Sequence, residues 1–202
     1  MHITQKYLIG VHGLKGAGKD TVAAMLCKYL PLTKLAFADR LKATCAAAFG
    51  LSLDHFYSEI LKEVVVPKWG ISPRTMMLRT SDALQAQFGQ RIFLDHTIPV
   101  DWAQQKTGLI LTDVRRGEEA ELIYSMGGII IHVLRPSNTV YSEASNGHWT
   151  EQGLVQHKTD YVLNNTGDKV HLLHEVRALI FKVYGPTPLA PLPYVPNEWV
   201  EP

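Results

Sequence analysis

Between Gly13 and Thr21 the chain reads GLKGAGKDT, a run whose closely spaced glycines and Gly-Lys pair suit the binding of a polyphosphate. Glycines let consecutive backbone N–H groups turn inward around an anion, and a helix that follows aims the positive end of its dipole at the same charge. Lys19 would then bridge the outer phosphates. The pattern GxxxxGK[ST] holds through Lys19 and breaks at the next position, where Asp20 stands and the hydroxyl of Thr21 arrives one residue late. Asp20 reads in two ways: as the cap of a helix beginning at Thr21, or in the magnesium role of the missing hydroxyl, and both can hold at once. No GxGxxG can be drawn through these glycines, so a dinucleotide fingerprint fails.

Carboxylates and guanidinium groups recur where strands are predicted to end. Asp39 with Arg40, Asp113 with Arg115 and Arg116, and Arg135 all stand there, and in open α/β sheets ligands collect at the carboxyl ends of strands. A magnesium nucleotide needs both groups, since carboxylates hold the hydrated ion while arginines grip phosphate oxygens in pairs. Asp113, closing the run GLILTD, is placed to reach Mg²⁺ directly or through water. Capping the next helix or pairing with a neighbouring arginine is its structural alternative. An alcohol acceptor usually wants a positioned base, whereas a phosphate acceptor is already anionic and needs alignment and charge neutralisation. Arg40, Arg74, Arg79, Arg115 and Arg135 favour the phosphorylated acceptor. Residues 137–157 contain no Lys or Arg, so neutralisation must come from the sheet side and the insertion. His148 and Trp149 could stack on a base or ribose, or simply anchor a closed lid. His171 and His174 share a helical face, yet no third ligand accompanies them, and neither a zinc site nor a Ser-His-Asp triad is indicated.

The elements that must hold these groups alternate between strand and helix. Tyr7–Val11 reads as a buried parallel strand, and Val22, Met25, Leu26 and Tyr29 recur at helical spacing until Pro31. Further strands are predicted at Thr33–Ala38, Gly108–Asp113, Ile129–Leu134 and Tyr161–Leu163. Helices are predicted at Arg40–Phe49, Glu118–Met126 and Asp168–Val183, the last with Val170, Leu173, Val176, Ile180 and Val183 inside. Residues 51–100 show helical patterns broken by Pro67, Gly70, Pro73 and Pro99, the mark of a helical insertion; Pro73 suits the first turn of a helix holding Met76, Met77, Leu84 and Phe88. The fold class is therefore α/β, a three-layer sandwich around a parallel sheet. Polar, aperiodic residues from 136 onward are expected to form a lid over 136–157. A proline-rich tail, 185–202, follows the 1–184 domain.

At 202 residues there is room for one domain with a sizeable core plus an insertion. A formal net charge of +1 excludes a broad field for nucleic acid polymers or anionic membranes, so any anion must be met locally. The two cysteines, Cys27 and Cys45, fall in apolar helical patterns and read as core thiols in a reducing compartment. No stretch is apolar and long enough to span a bilayer, and a cytoplasmic location is expected.

Seven blocks in order carry a resemblance. GLKGAGKDT, FADRLK at Phe37–Lys42, SPRTMM at Ser72–Met77, LTDVRRGEEAELI at Leu111–Ile123, GGIIIHVLRP at Gly127–Pro136, HWTEQGL at His148–Leu154 and DYVLNNTGD at Asp160–Asp168 together resemble the bacteriophage deoxynucleoside monophosphate kinases. The resemblance spans roughly the first 170 residues and leaves the tail outside. It implies an ATP-dependent kinase of deoxynucleotide biosynthesis with a phosphate-loop kinase fold, Mg²⁺, small nucleotide substrates and a homodimer. By matching blocks, it places Gly13, Lys15, Gly16, Ala17, Gly18, Lys19, Asp20 and Thr21 on the ATP phosphates, with Arg135 near them. Asp39, Arg40, Lys42 and Arg74 would serve the acceptor, Asp113 and Arg115 the reaction centre, and Trp149, Glu151 and Asn165 the lid and nucleotide pocket. Magnesium would lie near Asp20, Thr21 and Asp113. In that family an aspartate follows the loop lysine, as Asp20 does here, but Arg116 and Gly117 stand where phenylalanine and proline are common. Related kinases of phosphomevalonate or dephospho-coenzyme A, and a non-catalytic ATP-binding regulator, are the alternatives that acceptor assays would separate.

Overall fold

Apolar residues on both sides of its ladder make β1 (Leu8–His12) a strand buried at every position. The glycine loop follows, then α1 (Lys19–Tyr29), β2 (Leu32–Leu35), α2 (Ala38–Phe49), α3 (Asp54–Tyr57), α4 (Pro73–Phe88), β3 (Gly108–Val114), α5 (Gly117–Ser125), β4 (Ile129–Leu134), β5 (Tyr161–Asn164) and α6 (Lys169–Tyr184). This computed structural model describes residues 7–135 and 154–185, apart from 96, 100, 105 and 106. The chain divides into two compact units. One holds the residues up to Leu35 and those from Trp102 onward; the other is Ala36–Asp101.

The first unit is a five-stranded sheet in the order β2-β3-β1-β4-β5, and every pairing is parallel. Ile9 and Val11 point to the face covered by α1 and α6, where Val22, Leu26, Leu173, Val176 and Ile180 complete a core of fully buried apolar side chains. On the opposite face α5 lays Ile123 over Gly10. Helices therefore cover both faces of a parallel sheet, the three-layer α/β sandwich that alternating strands and helices predict.

Most boundaries move by a residue or two, and three shifts bear on the site. Helix α1 begins at Lys19 rather than Thr21, with Gly18 at its cap and no side chain capping it; Asp20 is thus inside the first turn and is not the N-cap. Strand β2 ends at Leu35 instead of Ala38, because the Asp39 carboxylate accepts the Ala36 N–H and turns the chain into α2. Strand β3 continues one residue past Asp113, through Val114. Its pairing with β1 slips: Gly10 stands opposite Leu111 but His12 opposite Val114, so Thr112 and Asp113 share the place facing Val11. An extra residue of this kind bends a strand and re-aims side chains.

The second unit has its own small core of Cys45, Ala46, Phe56 and Met76, flanked by Leu41, Phe49, Ile71 and Met77. Helix α2 belongs to it, in company with residues of the 51–100 insertion. Pro73 sits in the first turn of α4, and the Ser72 hydroxyl accepts the Thr75 N–H there. Met76 is buried in that helix, whereas Phe88 at its end is 67% exposed.

Candidate active site

Two glycines of the loop occupy places that exclude a side chain. A Cβ at Gly13 would stand 2.5 Å from the Val133 carbonyl oxygen, and one at Gly18, whose φ is +98°, would stand 2.5 Å from the Asn165 side-chain nitrogen. Close approach of the loop to β4 and to the end of β5 thus requires glycine at both. Asn165 is buried. Its amide donates to the Ala17 carbonyl at 2.9 Å while its backbone N–H donates to Leu134 O at 2.7 Å. The Ala17 carbonyl is thereby turned toward Asn165, and the first N–H groups of α1, which begins at Lys19, point back toward the loop as at any helix N-terminus. The Lys19 ammonium donates to Gly13 O at 2.6 Å and Leu14 O at 2.8 Å, arching back over the loop. Lys15 and Gly16 are exposed, and Ala17 is buried beneath them.

Asp20 is paired with Lys34 at 2.8 Å, with 81% of the carboxylate side chain exposed. An ion pair so open to water is worth at most about 1 kcal/mol. The pair therefore yields readily to a bound ion. Asp113 and Thr21 are half-buried. Among the described residues no group of three or more His, Cys, Asp or Glu is set to hold a metal. Magnesium bound mainly through phosphate oxygens and water needs only one or two carboxylates, and that is the mode the expected ligands Thr21, Asp20 and Asp113 would serve.

Beyond Asp113 the chain turns into α5, and Glu119 governs that turn. Its carboxylate accepts the backbone N–H groups of Arg115 at 2.6 Å and Arg116 at 3.0 Å. Burial, which outweighs those two bonds, pushes its pKa up to about 7, with the Asp113 charge adding to the rise. An open cleft of about 680 Å³ lies alongside, lined by Arg115, Arg116, Glu118, Tyr124, Leu154 and His157 among others. Arg135, exposed, directly follows β4.

The sheet face under this turn carries polar groups that sequence reasoning missed. His12 donates from Nδ1 to Val114 O at 2.8 Å, and its Nε2 accepts the Leu154 N–H at 3.2 Å. The side chain of Asp160, fully buried, accepts from the Tyr124 hydroxyl, the His157 backbone N–H at 2.7 Å and the His132 ring at 2.8 Å. Burial and this carboxylate raise the Tyr124 phenol well above its usual value, so it stays a donor. Glu119 had a visible signal, an acid three residues into a helix where reciprocal capping acids stand. His12 and Asp160 had none, because both read as single polar residues beside apolar runs.

In the second unit Asp39 accepts from Ala36 N, from the Tyr57 hydroxyl at 2.8 Å and from Lys42 at 3.4 Å, while Lys42 also lies 4.0 Å from the centre of the Tyr57 ring. Arg74 binds Glu63 through Nε at 2.7 Å and through its terminal nitrogen at 2.6 Å. Arg40 is exposed. Of the expected site residues, the structure thus brings the loop, Asn165 and the strand-end groups Asp113, Arg115 and Arg135 into the first unit, and Asp39, Arg40, Lys42 and Arg74 into the second. Trp149 and Glu151, with most of the expected lid and the tail, lie outside the described residues.

A parallel sheet of this order, whose first strand runs through a glycine loop into a lysine-headed helix, is the phosphate-loop kinase architecture. The family model for deoxynucleotide monophosphate kinase matches residues 80–176. A protein of Acanthamoeba polyphaga mimivirus, provisionally named a deoxynucleotide monophosphate kinase, is 30% identical over 148 residues, 64% of this chain and 74% of that one. The chain belongs to the deoxynucleotide monophosphate kinase family. Among solved structures, TT1252 from Thermus thermophilus overlaps with a TM-score of 0.49 at 19% identity, covering 89% of this chain and 99% of that one. Dephospho-CoA kinase from Campylobacter jejuni overlaps with a TM-score of 0.44 at 15% identity, over 89% and 98% of the two chains.

Proposed function

We propose that the chain transfers the γ-phosphoryl group of ATP to the 5′-phosphate of a deoxynucleoside monophosphate, giving the diphosphate and ADP. The observation that carries this reading is the loop: Gly13 and Gly18 packed too tightly for a side chain, a helix that opens on Lys19 directly behind them, and a lysine ammonium that bonds the Gly13 and Leu14 carbonyls. On binding ATP, Lys19 would leave the Gly13 and Leu14 carbonyls for the outer phosphate oxygens. Its charge and the loop amides would then stabilise the negative charge on the transferring group, and Asn165 would keep the Ala17 carbonyl from opposing it. Magnesium, held by Thr21 with Asp20 or Asp113, would supply further neutralisation of the phosphates.

Acceptor phosphate is assigned to Arg74, Arg40 and Lys42, with Asp39 holding Lys42 and Tyr57 in place. Arg74 and Glu63 are both about half exposed, so exchanging that carboxylate for a phosphate costs little. Arg115 and Arg135, which directly follow β3 and β4, are assigned to the reacting and donor phosphates. An anionic acceptor requires no general base, and alignment with charge compensation supplies the rate. Residues 51–100 form the acceptor-binding insertion and 136–157 the lid in this reading. A homodimer is part of it too, with the exposed Ile60, Val64 and Val65 of the second unit offering apolar surface to bury. So is a cytoplasmic location, where ATP is present and two free thiols persist.

Initial rates of ADP release with each dNMP, one ribonucleotide, dephospho-coenzyme A and phosphomevalonate test the assignment. Turnover with at least one dNMP is expected. Turnover with only a non-nucleotide acceptor would contradict it.

A further inference from the structure

We propose that His12, as its Nδ1–H tautomer, is a positioning residue that ties the strand entering the phosphate loop to the strand bearing Asp113 and to the backbone at Leu154. The inference rests on the kinase reading above for its functional consequence, but not for its geometry.

A carbonyl only accepts, so the 2.8 Å contact with Val114 O puts the ring proton on Nδ1. Nε2 is then a bare lone pair. The Leu154 N–H points to it at 3.2 Å, so one tautomer satisfies both bonds. The ring is 8% exposed, and losing either bond would leave a backbone group without its partner in a nearly dry place.

The location gives these bonds their meaning. His12 immediately precedes Gly13, the first loop glycine, and Val114 lies between Asp113 and Arg115. Between these two strand ends the ladder is irregular, with Thr112 and Asp113 sharing one place. A bulge loosens backbone pairing where it occurs. The imidazole bond spans the same interval from the side, fixing the distance between the loop and the carboxylate-bearing turn. Through Leu154 it also fixes where the chain comes back beside the cleft lined by Arg115 and His157.

Burial is the main influence that favours the neutral ring, and the bond to Val114 O works against it. Burial lowers its pKa, and His132, Lys19 and Arg115 lower it further. Of these, Lys19 opens α1, Arg115 follows β3, and His132 on β4 stands edge-on with ring centres 5.2 Å apart. The acids nearby are engaged elsewhere: Asp160 takes the His132 ring and Glu119 takes the Arg115 N–H. A protonated His12 would turn an N–H toward the N–H of Leu154.

Nitrogen NMR of the ring, with amide exchange at Leu154, tests the tie without any substrate. The wild type is expected to show the Nδ1–H tautomer and a protected Leu154 amide. His12→Asn, whose amide can reach Val114 but not Leu154, should speed exchange at Leu154 on the order of tenfold, the worth of one ordinary hydrogen bond. His12→Phe keeps the ring shape without its nitrogens and should lower kcat on the order of tenfold while the KM for ATP moves less than about twofold. Acidification should release Leu154 in the wild type and leave its exchange in His12→Asn unchanged beyond the intrinsic pH effect. An Nε2–H ring, equal exchange in wild type and His12→Asn, or a folded His12→Phe with wild-type kcat would overturn the proposal. Should His12→Phe not fold, the Asn variant and the wild-type pH series decide. A wild type inert toward every acceptor would sink the kinase reading and leave the exchange result standing.

Discussion

In the proposed reaction the chemistry turns on Lys19, because its ammonium bonds the Gly13 and Leu14 carbonyls of the loop, neutral groups that phosphate oxygens would replace. Lys19→Met should lower kcat on the order of a hundredfold or more, as removal of one preorganised donor does. Steady-state kinetics check this, and near-normal turnover would rule out the assigned mechanism. Glu119 predicts a pH dependence of a different kind. Its folded-state pKa is about 7 against an ordinary 4.5, so folding holds its proton more tightly than the unfolded chain does. Its contribution to stability is accordingly full below about pH 4.5 and is lost as pH rises through about 7. Glu119→Gln removes that titration. Denaturant melts at pH 5.5 and pH 8 should show the variant gaining on the wild type at the higher pH; a gap constant with pH would contradict the burial argument.

Element by element, the sequence revealed what repeats and hid what depends on neighbours. Strand β4 was predicted at Ile129–Leu134 and is found there, since a β-branched run bounded by Gly127 and Gly128 leaves little freedom. The slip between β1 and β3 was invisible, because both runs are uniformly apolar and only their pairing shows that Thr112 and Asp113 share a place. The start of α1 moved for a related reason. Gly18 caps the helix with no side chain of its own, and Asn165, far away in sequence, packs against it and bonds the Ala17 carbonyl. The loop residues of the candidate site were thus legible as a motif, whereas Asn165 as the support of the loop, His12 and Asp160 required the folded chain. The packing at Gly18 yields a prediction at this scale. Gly18→Ala must bear a φ of +98° and displace Asn165, a backbone cost of roughly 1–2 kcal/mol before any contact is lost. ATP affinity measured by calorimetry should fall several-fold with dNMP affinity little changed; an unaltered ATP affinity would mean that the loop is not shaped by this contact.

At the scale of the molecule, two compact units divide the expected labour. The sheet unit carries the loop and the strand-end groups, and the helical unit carries the residues assigned to the acceptor. With 20 basic and 19 acidic residues, the chain has almost no net charge to draw anions in. Selectivity for two phosphate esters must then reside in these local groups, not in a long-range field. ATP labelled at its γ-phosphate, incubated with the protein, magnesium and a dNMP, tests that division most directly. The account predicts label in the dNDP product at the rate ADP appears. Label found only in inorganic phosphate, or retained in ATP with every dNMP, would contradict it.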